Sequence, residues 1–424
     1  MTKENQHIII IGAGFGGIYA AKEILKGGGN HRITLIDLRN YHLFQPLLYQ
    51  VATAQLSPED IAYPVREIFK KNKNVTILKE RVKSVDPERN CVLVECGELK
   101  YDKLIISVGV APDYFGNESW REYAPPLKTL EDALEIRSRI LNVFERAESE
   151  ALHPCDENPL NLVIIGGGPT GIELSGALAE LRKYTLKNEF RKIDAERAKI
   201  YLIEAGENIL PGFPEQLIKA AEESLRKLDV TILTKTFVTN IEKDRLEIKT
   251  AESTKYIESK VVIWAAGVKA KFGENILSRN NKIKIDRKGR VKVNNNLALD
   301  GYENVYVIGD FAAFADANKK QLPGTAPVAM QQGIYAAKHI LGKAAPEFKY
   351  FNKGSLAVIG RNAAVADFGK FRFAGFFAWV LWIFVHIGYL VGFNNRFFVL
   401  SKWSVNYFLR KPAARIILTA KTVL

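Results

Sequence analysis

The apolar positions of this chain fall mostly in short unbroken runs, each closed by glycine. Ile8-Ile9-Ile10-Ile11 is the first, and four consecutive β-branched residues predict a strand buried on both faces of a parallel sheet. Gly12-Ala13-Gly14-Phe15-Gly16-Gly17 follows, then an apolar run over 18–25 that predicts a helix. Arg32-Ile33-Thr34-Leu35-Ile36-Asp37 predicts a second strand, closing on an acid twenty residues after the last of these glycines. Shorter strands are expected around 75–78, 91–95 and 104–108, the last turning at Gly109. Residues 40–50 are apolar without a clean period and read as a loop-rich stretch near a ligand. Within it, His42 reads as a buried, hydrogen-bonded histidine rather than a catalytic base.

After a charged helix over 130–149 and a linker over 153–159, the pattern repeats. Leu162-Val163-Ile164-Ile165 predicts a strand, Gly166-Gly167-Gly168-Pro169-Thr170-Gly171 a turn, and 172–186 a helix. The matching acid is Glu204, after Lys199-Ile200-Tyr201-Leu202-Ile203; the charged stretch over 182–199 takes up the longer separation as helix extension or insertion. Val261-Val262-Ile263-Trp264-Ala265-Ala266 closes on Gly267, in parallel with the strand that closes on Gly109. Near residue 300 the chain returns to its first domain with Asn304-Val305-Tyr306-Val307-Ile308-Gly309-Asp310, and a helix over 326–339 carries Gln331 and Gln332.

The glycines give this pattern its chemistry. Gly12, Gly14 and Gly17, and again Gly166, Gly168 and Gly171, stand at G-x-G-x-x-G spacing between a strand and a helix. The first glycine allows the turn, the second lets backbone approach a pyrophosphate, and the third packs helix on strand. The helix N-terminus adds unpaired N–H groups and a positive dipole end. Asp37 is placed for ribose hydroxyls. Glu204 would accept from a free 2′-hydroxyl and repel a 2′-phosphate, so NADH is expected over NADPH. Gly309 and Asp310 suit the ribitol and phosphate end of a flavin nucleotide. The fold class expected is α/β, with two Rossmann-like dinucleotide-binding domains, one inserted in the other. The division is 1–118 and 295–345 for the first domain, 119–294 for the second, and 346–424 for a C-terminal membrane-association and dimerisation region.

Composition changes this picture in two places. The 424 residues carry a formal charge of +13, and from Lys370 to Leu424 there are eight Lys or Arg and no acid. That basic end is crowded with aromatics, which favours an anionic membrane surface over nucleic acid, for which no motif is visible. Residues 371–393 approach the ~20 apolar residues of a membrane span, yet their glycines, histidine and aromatics fit an interfacial or core-docked helix better. Residues 403–418 interleave Tyr407, Phe408, Ile416 and Ile417 with Arg410, Lys411 and Arg415, a surface-lying anchor. Three cysteines build no disulfide framework and point to a reducing compartment. The start of the chain has no apolar signal-peptide run. Cys91 and Cys96 have the spacing of a flavin-disulfide pair, but on a strand they would face opposite ways, roughly 16 Å apart. No C-x-x-C, histidine pair or Walker loop is present, so no metal site is expected.

These motifs together resemble the type II (non-proton-pumping) NADH:quinone dehydrogenases over essentially the full chain. The resemblance rests on residues 10–17, 40–49, 166–174 and 326–332, and on Ala378-Trp379-Val380-Leu381-Trp382 before a basic end. It implies non-covalent FAD on Gly12, Gly14, Gly17, Asp37, Gly109, Gly309 and Asp310, and NADH on Gly166, Gly168, Gly171, Glu204 and Gly267. It also implies a quinone partner (menaquinone or ubiquinone), a homodimer, and a peripheral place on the cytoplasmic face of the cell membrane. Glu173 matches a glutamate tied to proton uptake; read from the residues alone, it is an acid in the first helical turn that complements the dipole. The family's quinone-side motif often reads Ala-Gln-x-Ala-x-Gln-Gln, but here it is Ala326-Pro327-Val328-Ala329-Met330-Gln331-Gln332. Pro327 cannot supply the first amide, which leaves Gln331 and Gln332 to serve.

The expected activity is therefore hydride transfer from NADH to flavin and two electrons onward to a membrane quinone. One alternative is another flavin reductase of the same fold, of ferredoxin or disulfide type. A second is a NADH-binding flavoprotein with a sensing or assembly role. A dithiol enzyme is disfavoured because no cysteine follows Cys155.

Overall fold

The computed structural model describes residues 5–152, 160–271, 277, 283–316, 319–391, 393–409 and 414–417. The chain divides into two compact units, each assembled from separated stretches: 1–43, 62–111 and 268–353 in one, 44–61, 112–267 and 354–424 in the other.

The first unit is built on a six-stranded sheet. Its order is Ala298–Leu299, Tyr302–Val307, Lys103–Ile106, His7–Ile11, Arg32–Asp37 and Val75–Lys79, parallel except at the first pair. Ile8, Ile9 and Ile10 have no exposed surface, as an unbroken apolar run in a central parallel strand requires. Phe15–Lys26 and Ala326–Ile340 cover one face of the sheet. Their backbones meet so closely that a Cβ on Gly333 would lie 2.3 Å from the Gly16 carbonyl oxygen. Val85, Val92, Val94 and Tyr101 contribute to the core on the other face. Three of them belong to the antiparallel strands Val82–Asp86 and Cys91–Val94, which continue into Gly97–Lys100.

The second unit repeats the theme with a parallel sheet in the order Val230–Leu233, Lys199–Ile203, Asn161–Ile165 and Val261–Trp264. Leu130–Glu150 starts at a capping box, Thr129 and Asp132 each satisfying the other's backbone N–H. The excess between strand and acid is a π-helical turn, Leu181–Thr185, followed by short 3₁₀ turns.

Several expectations are corrected here. Residues 40–50 are not loop: they form strand Tyr41–Leu43, a 3₁₀ turn Gln45–Leu47 and the start of helix Leu48–Ala52. Cys91 opens a strand that ends at Val94, and Cys96 sits in the following turn; both are free thiols. The C-terminal region holds a sheet that the sequence did not announce: Ser355–Gly360, Ala363–Asp367 and Arg372–Gly375, antiparallel. Phe371 and Phe373 thus precede or join a strand, and the helix begins only at Phe376, running to Tyr389. Its 14 residues reach about 21 Å, short of a bilayer's ~30 Å. Among the described residues no helix is long and apolar enough to cross a membrane. Phe393–Leu409 follows. The linker over 153–159, with Cys155, and Arg410, Lys411 and Leu418 lie outside the described residues.

Candidate active site

In the first unit, Gly12 turns the chain at φ +102°, and a Cβ there would stand 2.2 Å from the Ser107 carbonyl oxygen. Gly17 presses on the same loop, 1.9 Å from the Gly12 carbonyl oxygen by the same measure. Gly14 differs, because among the described residues nothing beyond its chain neighbours lies within 4 Å of where its Cβ would be. It is the N-cap of Phe15–Lys26, with no side-chain cap and no acid in the first turn. Open space and uncapped N–H groups meet at the position that the motif reserves for a pyrophosphate. Asp37 braces this loop, one carboxylate oxygen accepting from Ala13 N–H at 2.7 Å and the other from Arg39 N–H at 2.7 Å. His42 is buried beneath it, its Nδ1 2.8 Å from the Ala13 carbonyl oxygen. Burial pushes the imidazole down to about 4. Neutral His42 therefore donates from Nδ1 and leaves Nε2 as a buried acceptor with no partner among the described residues.

Across the same sheet edge, Gly309 is held at φ +70° and its N–H donates to Gln332 Oε1 at 2.6 Å. Gly309, Asp310, Gly324 and Val328 line a cleft with Lys288 and Arg290. A Cβ on Gly324 would come within 3.3 Å of the Asp310 carboxylate. Gln331 faces elsewhere: its amide exchanges two 2.9 Å hydrogen bonds with the backbone of Phe351. Pro327 sits in the first turn of Ala326–Ile340, where a missing N–H costs nothing. The departure from the family motif thus fits the local backbone.

The second cradle matches the first at its three motif glycines and its acid. Gly166 turns at φ +112° against the backbone of Ala265, and Gly171 lies 1.8 Å, Cβ to oxygen, from Gly166. Gly168, before Pro169 of helix Pro169–Glu180, again opens on empty space. Glu204 accepts from Gly167 N–H at 2.6 Å and from Gly206 N–H at 2.7 Å, the bracing that Asp37 performs in the first unit. Gly267 turns at φ +70° with Phe115 against it. Both loops fit a dinucleotide, by the open second glycine and the uncapped helix behind it.

Glu173 is the fifth residue of Pro169–Glu180, past the first turn, so its expected role as a dipole partner there is corrected. Burial pushes its carboxyl up to about 8, opposed by a hydrogen bond from the Val358 N–H. The same helix lies on the C-terminal sheet so tightly that a Cβ on Gly176 would stand 1.5 Å from the Ile359 carbonyl oxygen. Tyr49, from Leu48–Ala52, is buried, and burial and then Glu173 push its phenol well up. Sequence reasoning passed over Tyr49 because an aromatic in an apolar run carries no spacing signal.

Two parallel sheets, each with a glycine cradle and an acid bracing it, define a two-dinucleotide oxidoreductase. Residues 6–333 match the pyridine nucleotide-disulphide oxidoreductase family model, and residues 352–411 match the NDH2 C-terminal domain. The type II NADH:quinone oxidoreductase Ndh of Mycobacterium tuberculosis (strain ATCC 25618 / H37Rv) is 38% identical, covering 94% of this chain and 88% of its own. That of Staphylococcus aureus (strain NCTC 8325 / PS 47) is 28% identical, over 87% and 92%. In fold, the NDH2 of Plasmodium falciparum in complex with NADH superposes with a TM-score of 0.85 at 23% identity, over 98% of this chain and 100% of that one. The sulfide:quinone oxidoreductase of Aquifex aeolicus gives 0.74 at 20% identity, over 96% of each. The chain belongs to the type II NADH:quinone oxidoreductase family.

Proposed function

We propose a division of labour among this chain's residues for the oxidation of NADH by quinone. The enzyme is an FAD-dependent NADH:quinone oxidoreductase that transfers electrons without pumping protons. Bound FAD supplies the chemistry, accepting a hydride from NADH and delivering two electrons to quinone. The protein's part is to bind, orient and handle protons.

Gly12, Gly14, Gly17 and Asp37 hold the FAD pyrophosphate and ribose, and Gly109, Gly309 and Asp310 its remaining length, with Gln332 fixing the Gly309 turn. Gly166, Gly168, Gly171, Glu204 and Gly267 hold NADH. The first unit, 1–43, 62–111 and 268–353, acts as the FAD domain, 112–267 of the second as the NADH domain, and 354–424 as the membrane and dimer region, so the expected boundaries at 118, 294 and 345 move to those of the compact units. Gln332 serves on the quinone side, and Gln331 supports it only indirectly, through the Phe351 segment that its amide holds. Glu173 keeps its proton at neutral pH, because burial opposes its charge. It can release that proton to a reduced quinone oxygen and recover it from solvent. The exposed Phe377 and Phe384, at 78% and 71%, with the cationic end of the chain, meet an anionic lipid surface on the cytoplasmic face. Pairing into a homodimer through the C-terminal parts completes the reading.

The observation that carries it is the open second glycine of each cradle, standing as the N-cap of a helix without a side-chain cap. The test is protein purified without added flavin and assayed for NADH oxidation with a short-chain quinone, ferricyanide and dithionitrobenzoate. Quinone-dependent turnover is expected; activity confined to the disulfide reagent would contradict the reading.

A further inference from the structure

The middle residue of each glycine cradle is held at both ends of its backbone. In the first unit that residue is Ala13. Its N–H donates to Asp37 Oδ2 at 2.7 Å, and its carbonyl oxygen stands 2.8 Å from His42 Nδ1. A carbonyl only accepts, so Nδ1 carries a proton here in either charge state of the ring. Strand Tyr41–Leu43 presents His42 for this bond, turning it inward while Tyr41 and Leu43 stay partly exposed. His42 is 1% exposed and meets Phe15 edge to face, ring centroids 5.1 Å apart. In the second unit the middle residue is Gly167. Its N–H donates to Glu204 Oε2 at 2.6 Å, and its carbonyl accepts from the Leu210 N–H at 2.7 Å. Leu210 is fully buried and stands at φ +50°, a left-handed conformation that leucine rarely adopts. Two loops of different sequence thus bring one donor to the same carbonyl, an imidazole in one and a strained backbone in the other.

What that donor controls is the next N–H along the chain. The Ala13–Gly14 peptide is trans and planar, so its carbonyl and its N–H point in opposite directions. With the Ala13 oxygen bound to His42, the Gly14 N–H points away from the imidazole. At φ −72° this N–H lies on the same side of the Gly14 Cα as the position a Cβ would take. Among the described residues nothing beyond the chain neighbours lies within 4 Å of that position. Gly14 is also the N-cap of Phe15–Lys26, and no side chain caps it. The N–H is therefore aimed into open space at the positive end of a helix. Gly168 repeats the arrangement at φ −71°, with the same open space beside it.

We infer that His42 is a positioning residue for the FAD pyrophosphate: by binding the Ala13 carbonyl through Nδ1–H, it turns the Gly14 N–H toward a phosphate oxygen. This rests on the reading of the first cradle as the FAD site. Without the bond, the Ala13–Gly14 peptide can rotate, which withdraws the N–H and presents a carbonyl oxygen to an anion. Asp37 does not prevent that rotation, because the N–H it holds belongs to the preceding peptide, Gly12–Ala13. What the site requires of residue 42 is a donor at the place of Nδ1, and a ring of the same shape without one does not supply it.

The test is the rate at which the holoenzyme releases FAD on dilution, followed by flavin fluorescence. His42→Phe keeps a buried ring without the donor, and His42→Leu removes ring and donor alike. His42→Asn loses the ring but keeps an N–H donor close to the place of Nδ1. Release is expected to be about 10-fold faster in His42→Phe and His42→Leu, and within about threefold of the parent in His42→Asn. The phosphorus NMR spectrum of the bound FAD should follow the same order. A pyrophosphate resonance shifts in the two donor-free variants and stays near its parent position in His42→Asn. Release from His42→Asn about 10-fold faster than from the parent overturns the inference, as does parent-like release from His42→Phe. If neither donor-free variant folds, His42→Asn decides alone by the same two readouts. Gly14→Ala, whose methyl stands beside the N–H, separates the inference from the reading beneath it. Faster release there, with parent-like release in both donor-free variants, overturns the inference alone. Parent-like release from Gly14→Ala removes the first cradle from FAD binding, and the inference falls with it.

Discussion

At the scale of single residues, the two glycine cradles separate structural positions from binding ones. Gly12→Ala would force a side chain into φ +102° and onto the Ser107 carbonyl, costing about 1–3 kcal/mol from backbone strain alone. Thermal unfolding should show that loss. Gly168→Ala meets no protein atom within 4 Å. It should melt like the parent, yet raise the KM for NADH roughly tenfold, since on the proposed reading its methyl enters the space of a pyrophosphate. A KM unchanged in that variant would remove the second cradle from the mechanism. Titration provides a further check. His42 and His386 fall from an ordinary 6.5 to about 4, in each case chiefly through burial. The unfolded chain therefore takes up protons first, so their contribution to stability is present above pH 6.5 and lost as pH falls through 4. Glu173 acts with the opposite sign. Its folded value of about 8 lies above the ordinary 4.5, so stability is greatest below 4.5 and declines as pH rises toward 8. Glu173→Gln should accordingly melt higher than the parent at pH 8, by more than at pH 5. These glycines were legible because their demands are local: a turn, a helix start, a strand behind. Glu173 was visible as a residue but not as a half-buried, desolvated acid, since what lies against it, the Val358 N–H and the sheet that carries it, comes from far along the chain.

At the scale of elements, the cradles and the C-terminal region differ in how readable they were. Strand, glycine turn and helix are contiguous, and the hydrophobic run before Gly12 and before Gly166 announced each one. The strand at Cys91 and the helix at 130–150 also follow from local pattern, the latter through a capping box that its first residues spell out. Residues 40–50 did not, because their short elements are dictated by pairing: Tyr41–Leu43 is a strand only by virtue of Ala62–Pro64 beside it. The sheet over 355–375 was missed for a similar reason, and its third strand blends into the apolar run that follows. That sheet matters for membrane experiments. Truncation at Phe371 would remove a strand and expose what Ala378, Trp382, Leu390 and Val399 now cover, all at most 2% exposed. Point changes are the better probe. Phe377→Glu with Phe384→Glu alters only exposed rings, and should lower co-sedimentation with lipid vesicles several-fold while leaving flavin content unchanged. Undiminished sedimentation would exclude this helix as the anchor.

At the scale of the whole molecule, charge and nesting are the organising facts. A formal charge of +13, concentrated toward an acid-free end, favours anionic lipid over neutral lipid. Binding to vesicles containing anionic lipid should weaken as salt rises from 0.05 to about 0.5 M, as the Debye length contracts from above 10 Å to below 5 Å. Salt-independent binding would assign the attachment to apolar burial alone. Nesting places the central claim beyond any one segment, because neither cradle by itself oxidises NADH with a quinone. That claim is tested most directly by anaerobic absorbance of the purified full chain. The protein should be yellow, bleach on one equivalent of NADH, and regain its colour on one equivalent of a short-chain quinone. A chain that stays colourless when FAD is supplied, or whose bleached flavin quinone fails to restore, would contradict the account.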